Sequence, residues 1–169
     1  MIAPSRIVLV GFMGSGKSTV GGLLAATLGY RSIDSDLELA REAGFATPGE
    51  ALTTLGEARF REAERNAIRA ILAGDGLVLA TGGGAFAEEE TAELLLDRGF
   101  VVHLQCDLAE AVRRAARRGG RPLLAQGPDA VAQLFAARKD KYARAHAAVD
   151  TTGVSPAQVT QAILDRLPR

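Results

Sequence analysis

The feature of this chain that most constrains its fold is a glycine-rich segment near the N-terminus. Residues 11–19 read GFMGSGKST, which matches the pattern G-x-x-x-x-G-K-[ST] of a phosphate-binding loop. The segment follows residues 7–10, Ile-Val-Leu-Val, and such a run is typical of a strand buried on both faces. Residues 17–28, followed by Gly29, predict a helix with a glycine at its C-terminal end. A strand, a glycine-rich turn and a helix in this order predict a nucleotide-binding α/β protein.

The residues of this loop have separate expected roles. Its glycines allow backbone N–H groups to curl around phosphate oxygens, and the helix N-terminus adds a partial positive charge. We expect Lys17 to reach the β- and γ-phosphates and the Ser18 hydroxyl to ligate Mg²⁺. The pattern therefore indicates a nucleotide, but it does not by itself select a reaction.

Short strand-like runs alternate with longer helical patterns along the rest of the chain. The further strands are predicted at 31–33, 77–80, 100–104 and 147–150. The further helices are predicted at 57–72, 88–98, 107–117 and 129–146, with a last one that Ser155 caps and Pro156 begins. This alternation predicts a three-layer α/β/α fold with a five-stranded parallel sheet, in one domain that spans residues 1–169.

Composition excludes several classes of protein. The 169 residues carry 20 Lys and Arg against 20 Asp and Glu, so a globally basic nucleic-acid binder is disfavoured. With one cysteine, Cys106, and two histidines, His103 and His146, the chain has too few residues for a disulfide or a zinc site. We see no membrane-spanning run and no signal peptide. We therefore expect a cytoplasmic protein that binds neither nucleic acid nor membrane.

Motors, switches, helicases and small-molecule kinases all use such a loop. A motor or helicase core does not fit into 169 residues, and the Asn-Lys-x-Asp segment with which GTPases recognise the base is absent from the sequence. A small acceptor molecule is favoured instead, because acidic and basic residues follow the predicted strands.

Two acidic residues, Asp34 and Asp36, stand at the end of the second predicted strand. Residues two apart on a strand point to the same side, and ligands of open α/β sheets lie beyond the carboxyl ends of the strands. One carboxylate can serve Mg²⁺ through water while the other takes the proton of an attacking hydroxyl. The alternative is a turn that only caps a helix starting near Leu37.

Further candidates for the acceptor side are Arg61 and three consecutive glycines. Arg61 lies on a predicted helix where Glu64 can orient it, although a solvated ion-paired face is the alternative. Glycines at 82–84 after a strand indicate a close approach of the backbone to another group, or a flexible turn. Arg138 taken alone predicts a surface ion pair.

Residues 113–121 contain five arginines and no acidic residue. The helix breaks at Gly119, which favours a mobile flap over phosphates, with a generic basic loop as the alternative. Arg114 and Arg121 are the candidates for phosphate or nucleotide contact. Arg117 and Arg118 are expected to be solvated.

These motifs together resemble the shikimate kinases. The resemblance covers nearly the whole chain in the right order. It rests on the loop at 11–19, Asp34-x-Asp36, Gly56-Glu57, Phe60-Arg61-x-x-Glu64, the glycines at 82–84, Arg121-Pro122-Leu123-Leu124, and Arg138 ahead of Tyr142. The loop is shared by many families, whereas the combination is specific to this one.

The resemblance implies transfer of the γ-phosphoryl group of ATP to the 3-hydroxyl of shikimate, in the route to chorismate and the aromatic amino acids. It implies a fold like that of the nucleoside monophosphate kinases, with a shikimate-binding helical part at about 34–62 and a mobile lid at about 115–127. It implies Mg²⁺ as the metal that accompanies ATP. We expect a monomer.

The resemblance also implies residue roles. The catalytic residues are Lys17, Asp36 as the base, and Arg121 on the phosphates. Shikimate is bound by Asp36, Arg61, the backbone of Gly83, and Arg138, the two arginines holding its carboxylate. Mg²⁺ is held by Ser18 directly and by Asp34 through water. ATP is bound by Gly14, Ser15, Gly16, Lys17, Ser18, Thr19, Arg114, Arg121 and Pro156, of which Arg114 and Pro156 enclose adenine.

Two alternatives stay open. One is another small-molecule kinase with the same loop, which takes gluconate or a nucleoside monophosphate. A nucleotide acceptor would not need two arginines spaced to bind a single carboxylate, so this alternative is disfavoured. The other is a nucleotide-binding protein without catalysis, which predicts damage at Lys17, Asp36 or Arg121, and all three residues are intact.

Overall fold

Five parallel strands form the centre of the structure, a computed structural model that describes residues 3–119 and 122–168. The strands are β1 (Arg6–Val10), β2 (Arg31–Asp34), β3 (Leu77–Ala80), β4 (Phe100–Gln105) and β5 (Ala147–Asp150). Their order across the sheet is β2-β3-β1-β4-β5, and every neighbouring pair is parallel. The strand that precedes the glycine-rich loop is therefore the central one, which agrees with its uninterrupted apolar sequence.

Helices cover both faces of this sheet. Within the described residues the helices are α1 (Lys17–Leu28), α2 (Ser35–Glu42), α3 (Pro48–Leu55), α4 (Glu57–Ile71), α5 (Glu89–Arg98), α6 (Leu108–Arg118), α7 (Pro128–Tyr142) and α8 (Pro156–Leu164). Short 3₁₀ turns lie at Ala85–Ala87 and Pro122–Gln126. Among the described residues, no helix has both the length and the apolar character that crossing a membrane requires.

The alternation of side chains along β1 divides the core into two layers. Ile7 and Leu9 pack with α1 and α8 on one face of the sheet. Val8 and Val10 pack with α4, α5 and Tyr142 of α7 on the other. These four side chains are fully buried, because alternate residues of a strand point to opposite faces and both faces of this sheet are covered. The predicted three-layer α/β/α fold with a five-stranded parallel sheet is confirmed.

Two smaller clusters extend the core toward the edge where the strands end. Phe12 packs with residues of α6 and α7. Leu39 and Phe60 join α2, α3 and α4 into a separate helical layer beside β2. The first cluster includes Phe12 and Met13 of the glycine-rich loop itself, and the second joins the helices that carry Asp36 and Arg61.

Several helix ends agree with the sequence signals. Gly29 adopts φ 70° at the C-terminal end of α1, a left-handed conformation that favours glycine. Ser155 accepts a hydrogen bond from the Gln158 backbone at 3.3 Å, and the Gln158 side chain accepts one from the Ser155 backbone at 3.2 Å. This reciprocal cap fixes the start of α8 at Pro156.

Two helix predictions need correction. The helix predicted at 129–146 ends at Tyr142, because the chain must turn there into β5; the His146 ring accepts a hydrogen bond from the Val101 backbone at 2.9 Å and closes that turn. The helix α3 was not predicted from the sequence. Its signal was present, since Thr47 caps the helix by accepting from the Glu50 N–H at 3.1 Å and Pro48 occupies its first position.

Candidate active site

The glycine-rich loop leaves β1 and enters α1 through two left-handed glycines. Gly14 has φ 75° and Gly16 has φ 97°, and these angles are strained for any residue with a Cβ. A Cβ at Gly14 would also overlap the backbone carbonyl of Ala111 in α6. The loop is thus clamped between α1 and α6 in one conformation, which aims its backbone N–H groups at one region.

Lys17 and Ser15 occupy the interior of this loop. The Lys17 ammonium donates to the carbonyls of Gly11 at 2.8 Å and Phe12 at 3.0 Å. It therefore connects the C-terminal part of the loop to its first two residues. Ser15 is buried, and its hydroxyl has no hydrogen-bond partner in the described part of the chain. An unpaired buried hydroxyl is costly. A phosphate oxygen beside it removes that cost, so the loop fits a phosphate.

Asp34 at the end of β2 makes two contacts at once. Its Oδ1 accepts from the backbone N–H groups of Asp36 at 3.1 Å and Leu37 at 3.3 Å and so caps α2. Its Oδ2 accepts from the Ser18 hydroxyl at 2.8 Å. The helix cap and the contact with the phosphate loop are therefore properties of the same carboxylate. A hydroxyl and a carboxylate are the hard oxygen donors that suit Mg²⁺.

The prediction that Asp34 and Asp36 share a strand face is wrong. β2 ends at Asp34, and Asp36 lies in the first turn of α2. The cap made by Asp34 starts the helix one residue later, so the helix rather than the pleat of the strand aims Asp36. Asp36 lies against the exit turn of β3, since a Cβ at Gly82 would overlap its carboxylate.

The three glycines at 82–84 each face a different charged side chain. A Cβ at Gly82 would overlap Asp36, and one at Gly84 would overlap the guanidinium of Arg61. A Cβ at Gly83 would lie 3.5 Å from Nη1 of Arg138. The absence of side chains in this turn is thus what lets one carboxylate and two guanidiniums approach the same short segment of backbone.

Arg61 is held by a buried carboxylate. Its Nη1 donates to Oε2 of Glu64, one turn along α4, at 2.8 Å. Burial, which outweighs the attraction of Arg61, raises the pKa of Glu64 to about 7, and the charge of Asp36 acts in the same direction. Within the described residues, Nε of Arg61 and Oε1 of Glu64 are buried without a hydrogen-bond partner. These unpaired atoms fit a pocket that takes a polar ligand.

Arg138 reaches the pocket from α7. Its guanidinium lies over the ring of Phe12, 5.8 Å from the centroid. Burial is the largest effect on its pKa and lowers it, and the charge of Arg61 acts in the same direction. Two guanidiniums brought this close favour an anion between them. The surface ion pair suggested by Arg138 taken alone is not what the structure shows, because Arg138 lies beside Gly83 and is influenced by the charge of Arg61.

A cleft of about 270 Å³ opens on the other side of the loop. Arg114 and Pro156 line it together with Thr19 and Val154. The guanidinium of Arg114 is fixed by hydrogen bonds to Glu110 at 2.7 Å and to the Thr151 carbonyl at 2.8 Å. The two residues assigned to adenine thus share one cleft that is continuous with the phosphate loop.

Arg118 also lies at the site, although its sequence position predicted only a solvated side chain. It is exposed, as expected, but its Nη2 donates to the Thr19 hydroxyl at 2.5 Å. It also lines both the cleft and the small cavity inside the loop. The signal was its spacing, because Arg118 lies four residues after Arg114 and so on the same face of α6. Arg121, the expected phosphate contact, lies outside the described residues.

The phosphate loop and the glycine turn are at the same edge of the sheet, because β1 and β3 are parallel neighbours that end together, with Leu9 level with Ala80. The small cavity of the loop is lined by Lys17, Ser18, Asp34 and Gly83. The oxygens that suit Mg²⁺, those of Ser18 and Asp34, therefore lie next to the glycine turn of the acceptor side. A phosphate loop that opens into a carboxylate-bearing acceptor pocket places this protein in the class of P-loop kinases with a small-molecule acceptor.

Comparisons with known proteins narrow that class. The sequence profile of the shikimate kinase family matches residues 13–168, and the chain belongs to the shikimate kinase family. The predicted family is thereby confirmed.

The similarity to individual relatives extends over nearly the full length. The chain is 46% identical to the shikimate kinase of Streptomyces coelicolor, over 98% of this chain and 96% of that protein. It is 40% identical to the shikimate kinase of Persephonella marina, over 96% of this chain and 98% of that protein. The structure of the shikimate kinase from Acinetobacter baumannii in complex with shikimate superposes with a TM-score of 0.87 at 36% identity, over 95% of this chain and 91% of that one.

Proposed function

We propose that this protein transfers the γ-phosphoryl group of ATP to the 3-hydroxyl of shikimate, giving shikimate 3-phosphate and ADP in the biosynthesis of aromatic amino acids. The observation that carries this proposal is the glycine turn at 82–84, against which Asp36, Arg61 and Arg138 converge and whose Gly83 lines the cavity of the phosphate loop. Shikimate has one carboxylate and several hydroxyls. Two guanidiniums and one carboxylate match that combination of groups.

The acceptor is held at both ends. Arg61 and Arg138 bind its carboxylate, and planar guanidiniums suit this because each can donate two parallel hydrogen bonds. Asp36 and the backbone of Gly83 bind its hydroxyls. Asp36 also accepts the proton of the 3-hydroxyl while that oxygen bonds to the γ-phosphorus and the bond from the γ-phosphorus to the bridging oxygen of ADP breaks.

The phosphate side is held by the loop. Lys17 leaves the Gly11 and Phe12 carbonyls and donates to the β- and γ-phosphates, where the charge of the reaction develops. Ser18 and, through water, Asp34 are the residues that would hold Mg²⁺, because their oxygens already lie 2.8 Å apart. Bound Mg²⁺ neutralises phosphate charge. We assign Arg121 to the transferred phosphoryl group on the resemblance of its motif.

The remaining assignments complete the proposal. Adenine lies in the cleft between Arg114 and Pro156, and Gly14, Ser15, Gly16 and Thr19 contact the phosphates. On the resemblance we also assign a lid that excludes water during transfer to the segment at about 115–127, of which residues 120 and 121 lie outside the described part of the chain. We propose that the protein works in the cytoplasm as a monomer whose partners are ATP and shikimate.

The experiment that tests this function is acceptor-dependent release of ADP from Mg·ATP. Shikimate is compared with gluconate, nucleoside monophosphates and no acceptor, and Asp36→Asn is the matched inactive variant. We expect ADP only with shikimate and a large loss of turnover in Asp36→Asn. Release with gluconate or a nucleotide would overturn the acceptor, and no acceptor-dependent release would favour a nucleotide-binding protein without catalysis.

A further inference from the structure

The glycine turn at 82–84 needs an outside contact to hold one conformation. Glycine has more backbone freedom than any other residue, so three in succession form an intrinsically loose segment. The carbonyls of Gly82 and Gly84 accept from Ala85 and Ala87 at 3.2 and 3.1 Å, both within the turn that follows. The carbonyl of Gly83 accepts instead from the hydroxyl of Tyr142 in α7, at 2.8 Å. The middle glycine is thus tied to a different element.

Tyr142 itself is fixed by packing. Its side chain belongs to the core cluster under α7 and is 4% exposed. Its ring stacks on His103 with centroids 4.6 Å apart, and it lies parallel to Phe86 at 6.4 Å. Burial raises the pKa of Tyr142 to about 12, although the charge of Arg138 opposes this. The hydroxyl therefore stays protonated at neutral pH and can donate to Gly83.

Tyr142 and Arg138 lie one turn apart on α7, on the same face of the helix. Arg138 approaches Gly83 from that helix, with Nη1 3.5 Å from the position of a Cβ. Gly83 is therefore held by one residue of α7 and faces another residue of the same helix. A shift of the Gly83 peptide changes its distance to Arg138 and to the pocket at the same time.

We propose that Tyr142 is a positioning residue for the acceptor, which fixes the Gly83 peptide at the distance from Arg138 that the carboxylate-bearing substrate requires. This inference rests on the proposed function, since it assigns a role within the same pocket. Tyr142 itself lines neither the cleft at Arg114 nor the cavity inside the phosphate loop, whereas Gly83 lines that cavity. When the hydroxyl is removed, the defect is therefore expected to be much larger for the acceptor than for ATP.

The test is Tyr142→Phe, which removes the hydroxyl and keeps the stacked ring. The chain has two tyrosines, and Tyr30→Phe is the matched control, because the Tyr30 hydroxyl donates to the Ala3 carbonyl at 3.3 Å far from the pocket. We expect kcat/KM for shikimate to fall about tenfold in Tyr142→Phe, while KM for ATP stays within about twofold. Tyr30→Phe is expected to leave both unchanged. An equal loss for both substrates, or none, would overturn the inference.

A second measurement reports the position of the Gly83 peptide directly, without substrate and without relying on activity. In protein labelled with ¹⁵N-glycine and without ligand, the amide signals of residues 83 and 84 are expected to shift or broaden in Tyr142→Phe and to stay unchanged in Tyr30→Phe. Unchanged signals would overturn the positioning role. If the unmodified protein releases no ADP with shikimate, the proposed function fails. If that protein is active and Tyr142→Phe matches it in every readout, only the positioning inference fails.

Discussion

Arg61 and Glu64 form an ion pair of 2.8 Å in which the carboxylate is almost fully buried at 1% exposure and the guanidinium is 19% exposed. Nη1 of Arg61 donates to Glu64 on the same helix, and Nη2 of Arg61 faces Gly84. The ion pair thus orients the guanidinium toward the pocket rather than neutralising it at the surface. Several expected outcomes depend on this arrangement and on the loop beside it.

Arg61→Lys is expected to raise KM for shikimate about tenfold or more and to leave KM for ATP nearly unchanged. Lysine keeps the charge, but it loses the planar pair of donors that can serve Glu64 and a substrate carboxylate together. The measurement is steady-state kinetics with each substrate varied in turn.

The matched control is Arg65→Lys, since Arg65 lies four residues further along α4 and pairs with Glu90 at 2.9 Å. We expect this variant to keep both KM values. If Arg61→Lys also kept its KM for shikimate, Arg61 would be only an ion-pair partner of Glu64.

Glu64 is expected to make stability fall as the pH rises. Burial raises its pKa from the ordinary value of 4.5 to about 7 in the folded protein. Between these values the unfolded chain has lost the proton while the folded chain keeps it, so the free energy of unfolding decreases with pH until both forms are ionised above about 7. Glu64→Gln removes this dependence, and the effect is of order 1–3 kcal/mol.

The measurement is urea unfolding of both proteins from pH 4.5 to 8. His103 acts in the opposite direction, because burial lowers its pKa from 6.5 to about 4 and stability rises with pH between those values. His103 is present in both proteins, so the difference between their free energies isolates Glu64. That difference should grow with pH in favour of Glu64→Gln, and a constant difference would mean that Glu64 is ionised throughout.

The sequence predicted the local parts of the site better than their assembly. The phosphate loop, Arg61 with Glu64, and the cap by Asp34 depend on neighbours within a few residues, so their patterns are visible in the chain. The approach of Arg138 to Gly83 joins α7 to the exit of β3, and only the order of the strands brings these together. The direction of Asp36 was predicted wrongly, because residues 34–36 can continue a strand or begin a helix. The side chain of Asp34 caps the helix, so α2 starts at residue 35 and the strand ends.

Gly82→Ala is expected to abolish detectable acceptor binding while the protein still folds. The added Cβ would overlap the carboxylate of Asp36, which must then rotate away from the pocket. Gly82 has no positive φ, so the backbone itself tolerates alanine. Calorimetry with shikimate measures the loss directly.

Gly22→Ala is the control for this substitution. Gly22 lies in α1, and a Cβ there would meet no atom within 4 Å beyond the neighbouring backbone of its own helix, so alanine there is expected to stabilise the helix by about 0.5–1 kcal/mol. It should leave shikimate binding intact. Full binding by Gly82→Ala would show that the contact between this glycine and Asp36 is dispensable.

Arg118→Ala is expected to weaken binding of ATP and ADP about threefold, as for an exposed charged contact, and to leave adenosine binding unchanged. The reason is its position beside Thr19 at the junction of the cleft and the phosphate loop. Arg144→Ala serves as control, because Arg144 pairs with Glu89 at 2.7 Å and lines neither the cleft nor the cavity inside the loop. An equal loss of adenosine affinity would move Arg118 from the phosphates to the base.

Lys17→Ala is expected to lower kcat about hundredfold or more and to change the unfolding temperature little. Lys17 lies in the loop rather than in a core cluster, and its ammonium contacts the carbonyls of Gly11 and Phe12. Its removal therefore costs little packing, but it deletes a cation aimed at developing phosphate charge. Lys141→Ala is the matched control, since Lys141 also donates to a carbonyl, that of Ala87, at 2.6 Å on the surface. Kinetics and thermal unfolding are measured on both variants. Parallel losses of rate and stability in Lys17→Ala would assign Lys17 to the fold of the loop instead of to transfer.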